Sequence, residues 1–237
     1  MKTVILTGLI ATFAAGTASA DLLYGTSFED VNDLGGKYFD TGDAATDHWL
    51  SNNAGEAAVN GLGFDAWYGA FDPAGVGLTD GDYVGVTNYG SQGFYDGDQG
   101  YQMSDIDGNM ELHFNGYEGS ASMVSLAIYI ADTGYEAADN FSIHWGADPL
   151  SGTLYSLDGT GGDGNGSDME DAAGVWIFLE FDVSALGAGH LHVRGASNSG
   201  SEAYFIDAVS IYGDAVPAPG ALALLGLAGL ASRRRRK

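Results

Sequence analysis

The stretch Trp176-Ile177-Phe178-Leu179-Glu180-Phe181-Asp182-Val183 decides the fold. Two sets of side chains interleave in it, Trp176, Phe178 and Glu180 against Ile177, Leu179 and Phe181. A period of two puts successive side chains on opposite faces of a strand, whereas an amphipathic helix would repeat its apolar face every three or four residues. Runs of the same kind recur between clusters of Gly, Asp and Asn: Leu22–Phe28, Asp82–Thr87, Met110–Phe114, Ser122–Ile130, Asn140–Trp145, Thr153–Ser156, His190–Arg194 and Ala203–Tyr212, with Val175–Val183 around the opening stretch. No segment between the two ends of the chain sustains a 3.6-residue period, so little helix is expected. Short strands separated by turn signals predict an all-β, two-sheet antiparallel sandwich of the jelly-roll kind. One domain over residues 21–215 is expected, because no linker-like stretch divides it; Asp158 to Asp168, DGTGGDGNGSD, reads as a long polar loop.

The composition agrees. The 32 acids are 24 Asp and 8 Glu, and Asp favours turns, where its short carboxylate bonds nearby backbone groups. With 38 Gly, this points to a loop-rich β protein. Six of the eight cations lie at the two ends (Lys2, Arg233 to Arg236 and Lys237), leaving Lys37 and Arg194 against all 32 acids and a formal charge of −30 for the body. Such a field repels polyanions and excludes a nucleic-acid partner. It also calls for counterions, from salt or from bound divalent cations. No cysteine is present, so stability has to come from a core rather than a disulfide framework.

Both ends read as addresses. Residues 1–20 carry Lys2, an apolar stretch from Val4 to Ala15 and Ala18-Ser19-Ala20 ahead of Asp21, which is a secretory signal peptide cleaved after Ala20 in an A-x-A site. At the other end, Pro217 and Pro219 stop the fold near Val216. Gly220 to Ala231, GALALLGLAGLA, then forms an apolar segment before the Arg run. As a helix those residues rise only about 18 Å against a hydrocarbon core of about 30 Å, so the flanks from Val216 to Ser232 and snorkelling arginines have to complete a span.

This triplet of Pro box, short apolar segment and Arg-rich end resembles the PEP-CTERM sorting signal. The residues that carry the likeness are Val216, Pro217, Ala218, Pro219, Gly220 and Arg233, Arg234, Arg235 and Arg236, with Ala218 standing where the family has Glu. It covers residues 216–237 and implies nothing about the fold of the body. It does imply a membrane-anchored precursor, recognition by an exosortase (an intramembrane cysteine transpeptidase), removal of the tail, and a Gram-negative host that makes extracellular polysaccharide. The protein would then be exported through the inner membrane and end at the cell surface or outside it.

A second, weaker resemblance lies in the body. Tyr24-Gly-Thr-Ser-Phe28-Glu29 and Tyr204-Phe-Ile-Asp207-Ala-Val209, with Trp176 to Val183 between them, look like parts of carbohydrate-binding-module and galactose-binding-like jelly rolls. The likeness implies a structural calcium ion held by Glu29 and Asp207, with Asp30 beside them. Calcium takes six to eight oxygens, so two carboxylates are only a seed.

Other motifs fall short. An EF-hand loop starting at Asp163 would put Asp168 where Gly is needed and Gly174 where Glu is needed. Asp105-Ile-Asp107-Gly-Asn109 also lacks the later Glu, and solvated turns are the better reading. Glu180 and Asp182 share a strand face, but Ser184 stands where a laminarinase-like hydrolase would carry its second catalytic carboxylate. His190 and His192 share a face without an evident third ligand, while His48, His113 and His144 are isolated in sequence. No thiol, nucleophile elbow or phosphate loop is present. Trp49, Trp67-Tyr68, Tyr89, Phe94-Tyr95 and Tyr101 crowd the loop-like part between Asp40 and Asp107. Rings of this kind stack on sugar faces or fill cores. The expected function is a non-enzymatic surface or matrix protein, structural or adhesive within an extracellular polysaccharide layer. A carbohydrate-binding module is the alternative, and a glycoside hydrolase comes third.

Overall fold

A computed structural model describes residues 20–31, 36–40, 42, 46–70, 77–131, 134–160 and 168–215. The signal peptide with Ala18, the sorting signal over 216–237, and Asp163 with most of its loop lie outside the described residues. Ala20 is described and exposed, one residue ahead of the first strand. No helix among the described residues is long and apolar enough to cross a membrane.

The expected sandwich is present. In chain order the strands are β1 (Asp21–Thr26), β2 (His48–Trp49), β3 (Phe64–Ala70), β4 (Gly85–Thr87), β5 (Gly100–Ser104) and β6 (Gly108–Phe114). They continue with β7 (Gly119–Ile130), β8 (Asn140–Gly146), β9 (Thr153–Asp158), β10 (Trp176–Asp182), β11 (His190–Ala196) and β12 (Ala203–Ala215). A 3₁₀ turn over Gly77–Asp80 and α1 (Asp168–Ala172) are the helical pieces among the described residues. One sheet runs β10-β7-β12-β5-β4, with β1 also paired to β12; the other runs β2-β3-β6-β11-β8-β9. Every pairing between these strands is antiparallel.

The period of two sorts the side chains as expected. Val124, Leu126, Ile128 and Ile130 of β7 face Met110, Leu112 and Phe114 of β6 and Leu191 and Val193 of β11 across one buried core. In β10, Ile177, Leu179 and Phe181 pack against that core, whereas Phe178 and Glu180 are exposed on the other side. Tyrosines do much of the filling, and each buried hydroxyl finds a carbonyl: Tyr38 donates to Ser51, Tyr101 to Val59 and Tyr204 to Ala196, at 2.9, 3.0 and 2.7 Å. Those bonds are what allow a phenol into a core, since an unpaired buried hydroxyl would cost part of the gain from burying the ring.

The stretch between Asp40 and Asp107 corrects the sequence reading, because it supplies β2, β3 and β5 in addition to loops and the expected strand at Asp82–Thr87, which is β4. β3 reads Phe64-Asp-Ala-Trp-Tyr-Gly-Ala70, with polar and small residues diluting the alternation. β5 is buried at every position although it holds Gln102 and Ser104. Gly100 opens β5 where a Cβ would lie 2.9 Å from the Phe94 ring and 3.0 Å from the Ile206 carbonyl, so glycine is required for the strand to approach its neighbour.

β12 changes partner along its length. Ala203 to Ile206 pair with β5, and Val209 to Gly213 pair with β1. At the changeover the register against β7 slips between Asp207 and Ser210, and Ala208 takes a left-handed φ of 49°. Asp207, 0% exposed, closes the gap. Its Oδ1 accepts the Ala208 N–H at 2.6 Å and its Oδ2 the Asp96 N–H at 2.8 Å. Replacing Asp207 with Ala removes both acceptors and leaves two part-buried N–H groups without their partner, so a loss of about 1–3 kcal/mol in a urea titration is expected; Asp207→Asn, which keeps one acceptor, should lose less.

Candidate functional site

The outer face of the second sheet carries the most organised polar surface among the described residues. Register places Trp49 beside Trp67, Trp67 beside Glu111, Glu111 beside Arg194, and Arg194 beside Ser142. Residues directly opposite in an antiparallel pair point to the same face, so this is one row crossing β2, β3, β6, β11 and β8. Two residues along, Asp65, His113, His192 and His144 form a parallel row. Between the rows lies a cleft of about 260 Å³ lined by Trp49, Trp67, Glu111, His113, Asp148 and His192.

Trp49 is 54% exposed, and its ring centroid lies 5.9 Å from that of His113. Glu111 forms the floor at 3% exposure. The His192 Nδ1 lies 2.8 Å from Glu111 Oε1, and the other face of His192 reaches the Gly146 carbonyl through Nε2 at 3.3 Å. Arg194 Nε stands 3.7 Å from Glu111 Oε2, an ion pair too long for a hydrogen bond, and neither of these buried atoms has a hydrogen-bond partner. A group that both accepts and donates one hydrogen bond would complete the pair, and a hydroxyl is such a group. His113 Nε2 is a further buried atom without a partner. Burial, together with His192 and His190, pushes the His113 imidazole down to about 4, so it is neutral at ordinary pH and offers one donor and one acceptor. Burial also lowers His144 and His190.

Of the histidines that looked isolated in sequence, His113 meets the His190–His192 pair and His144 lies opposite His192, whereas His48 is held by Asp40 at 2.8 Å. His113 stacks on His192 with centroids 4.7 Å apart and an interplanar angle of 3°, and His190 meets His113 edge-on at 4.9 Å. Parallel stacked rings aim their nitrogens alongside one another rather than at a common point, and among the described residues no histidine belongs to a group of three converging metal donors. The structure therefore gives the His190–His192 pair ring contacts in place of the missing third ligand.

The other sequence candidates are placed as follows. Glu29 and Asp207 are brought to one turn, residues 96–99 ahead of β5. Glu29 Oε1 accepts the N–H groups of Asp98 and Gln99 at 2.7 and 2.8 Å, on the opposite side from the Asp207 bond to Asp96. Burial pushes the Asp207 carboxyl up to about 6, partly offset by these backbone donors. Both Asp207 oxygens and one of Glu29 already face N–H groups, an arrangement that fits a hydrogen-bonded clamp better than a cation. Glu180 lies opposite Ser125, which in turn pairs with Ser210, and Asp182 accepts the Ser184 hydroxyl at 2.6 Å. Of the crowded aromatics, Tyr68 and Tyr101 are core, Trp49 and Trp67 line the cleft, and Tyr95 stacks on Phe178 at 5.5 Å over the first sheet. A more open groove of about 510 Å³ beside Tyr89, Gln102 and Phe205 lies on that sheet and contains no charged group. Sequence reading missed Glu111 as a site residue; its only signal was an acid inside the strand Met110–Phe114, two positions before His113.

No family model matches the chain, and no curated protein matches it in sequence. Among solved structures it is similar to the K1 cleaved adhesin domain of Lys-gingipain from Porphyromonas gingivalis W83, at 10% identity over 82% of this chain and 99% of that one, TM-score 0.43. It is also similar to a family 11 carbohydrate-binding module from Clostridium thermocellum in complex with a β-1,3-1,4-mixed-linked tetrasaccharide, at 13% identity over 71% and 96% of the two chains, TM-score 0.33. A third, TmCBM61 in complex with β-1,4-galactotriose, is 14% identical over 56% and 83%, TM-score 0.35. At these values the likenesses assign no ligand to this chain.

The depressed His113 has a measurable consequence. Folding holds the ring neutral, so the unfolded chain binds more protons between about pH 4 and 6.5, and stability falls as pH drops through that window. The His113 ring resonances should show no titration between pH 5 and 8 in an NMR pH series, while an exposed histidine would titrate near 6.5.

Proposed function

We propose that this chain is an exported surface protein that holds neutral polysaccharide in the Trp49–Trp67 cleft of its second sheet. The observation that carries the reading is the exposed Trp49 and neighbouring Trp67 beside Glu111 and Arg194, whose facing polar atoms have no partner. Indole faces supply an apolar platform for the C–H side of a sugar ring, and the unpaired carboxylate and guanidinium atoms take its hydroxyls. The net charge of the body disfavours an anionic glycan, which makes a neutral one the better partner. Binding is favoured over hydrolysis because Glu111 is pinned between His192 and Arg194, a placement suited to holding a hydroxyl.

Affinity electrophoresis or pull-down with a panel of neutral and acidic polysaccharides tests this. Trp49→Ala and Trp67→Ala are each expected to weaken binding about 10- to 100-fold. The melting temperature of Trp49→Ala should barely move, since the side chain is largely exposed. Binding to no glycan, or wild-type affinity in both variants, would remove the reading.

The sorting signal sets where this binding takes place. In this proposal an exosortase acts at Val216 to Gly220 after the Arg233–Arg236 end has anchored the precursor in the inner membrane, and the product remains in the extracellular polysaccharide layer. Pro217→Ala with Pro219→Ala should leave full-length precursor in the membrane fraction, read by intact-mass spectrometry; tail removal at the wild-type rate would exclude this route.

A further inference from the structure

Away from the cleft, two connections between the sheets meet at a group of acids. The segment after β7 carries Glu136 and Asp139 to the start of β8, and the segment after β11 carries Glu202 to the start of β12. One carboxylate oxygen from each lies within 4.8 Å of the others. Asp139 and Glu202 are 1% and 2% exposed, while Glu136 is open to solvent. The backbone ties the group tightly: Glu136 N–H donates to Asp139 Oδ2 at 2.6 Å, Asn198 N–H to Glu202 Oε2 at 3.2 Å, and Gly159 N–H to the Asp139 carbonyl at 3.0 Å. Yet Asp139 Oδ1, fully enclosed, faces no hydrogen-bond donor among the described residues.

A buried carboxylate oxygen without a donor, facing two further carboxylates and no Lys, Arg or His ion pair, is costly unless something positive sits among them. We propose that Glu136, Asp139 and Glu202 form a divalent-cation site of the calcium class that latches the two sheets together. The donor set is entirely oxygen, which suits a hard cation better than zinc or copper, whose preferred ligands include imidazole and thiolate. Calcium tolerates irregular geometry and bidentate carboxylates, and water on the open Glu136 side completes its shell. The latch joins β7 and β12 of one sheet to β8 and β11 of the other, a task a disulfide could perform in a chain that had cysteine. It is separate from the cleft, so its failure would leave the polysaccharide reading untouched.

Calcium added to EGTA-stripped protein should raise the melting temperature by about 5–10 °C at about 100 times its Kd. Terbium should bind competitively and emit on tyrosine excitation, because Tyr135 precedes Glu136 directly and Tyr204 lies two residues after Glu202. Glu202→Gln and Asp139→Asn should abolish both responses while leaving the stripped protein at least as stable as stripped wild type, since an amide relieves the crowding of charge. Should either buried variant fail to fold, Glu136→Gln, at the exposed position, gives the same reading through at least a tenfold weaker terbium signal. Glu29→Gln should keep both responses. An unresponsive wild type would overturn the proposal, as would responses that survive Glu136→Gln and Glu202→Gln or that vanish only in Glu29→Gln.

Discussion

β12 is shared by two neighbours on the same side, β5 along its first half and β1 along its second, and one ladder cannot serve both without a break. At that break the backbone turns left-handed at Ala208, and Asp207 puts its carboxylate where a third strand would have supplied hydrogen bonds. Everything at this end of the sandwich leans on that group. Turn 96–99 is fixed between Asp207 and Glu29, and the Gln99 amide then bonds the carbonyls of Phe28 and Val31. Phe28, itself held at a φ of 62°, packs edge-on against Phe64 at 5.3 Å and beside Tyr101. Without disulfides, the β1–β12 ladder joins the first strand to the last, and two carboxylates that gather backbone N–H groups fix the turn beside it.

Closing the chain in the first sheet leaves the second sheet regular. The β3–β6, β6–β11 and β11–β8 ladders run without a register shift, and this continuity is what sets Trp67, Glu111, Arg194 and Ser142 in line. A bulge anywhere among them would turn one member of the row to the opposite face. The ladder first slips between Ile143 and His144 against β9, beyond the cleft. Regular pairing is thus the cause of the site, while the irregularity needed to end the chain is confined to the other sheet.

Sequence patterning revealed the elements whose own side chains alternate. β7 and β10 were legible because Val, Leu, Ile and Phe recur at every second position, and the nine strands read from such runs are all present. β3 and β5 were not, because Asp65, Gly69, Gln102 and Ser104 interrupt the apolar set, and their burial comes from neighbours far away in the chain. The site was legible as a pool of aromatics but not as a choice among them. Trp67 and Tyr68 are adjacent, and which of them faces the core depends on register against β6 rather than on local sequence. Glu29 and Asp207 stood out by resemblance, but the turn that unites them belongs to a third segment. Glu136, Asp139 and Glu202 gave no local signal, since only the meeting of two sheet-to-sheet connections brings them together.

The scarcity of cations ties these features into one argument. Of the body's two, Lys37 lies 4.7 Å over the Tyr83 ring and Arg194 stands at Glu111, so no buried acid elsewhere has a basic side chain other than histidine to meet. Asp40 takes His48 at 2.8 Å, and Asp207 takes backbone N–H groups. Asp82 has neither solution: burial and the nearby Asp80, Asp105 and Asp107 push it up to about 8, so it resides as the neutral acid through most of the ordinary pH range. Protonation works for one carboxyl in such a place. It serves less well for three that share a small volume, because each proton placed on one oxygen still leaves the remaining pair opposed. A body this poor in Lys and Arg has little positive charge of its own to place among them, and the Glu136–Asp139–Glu202 group is where the proposed cation would supply it from solution.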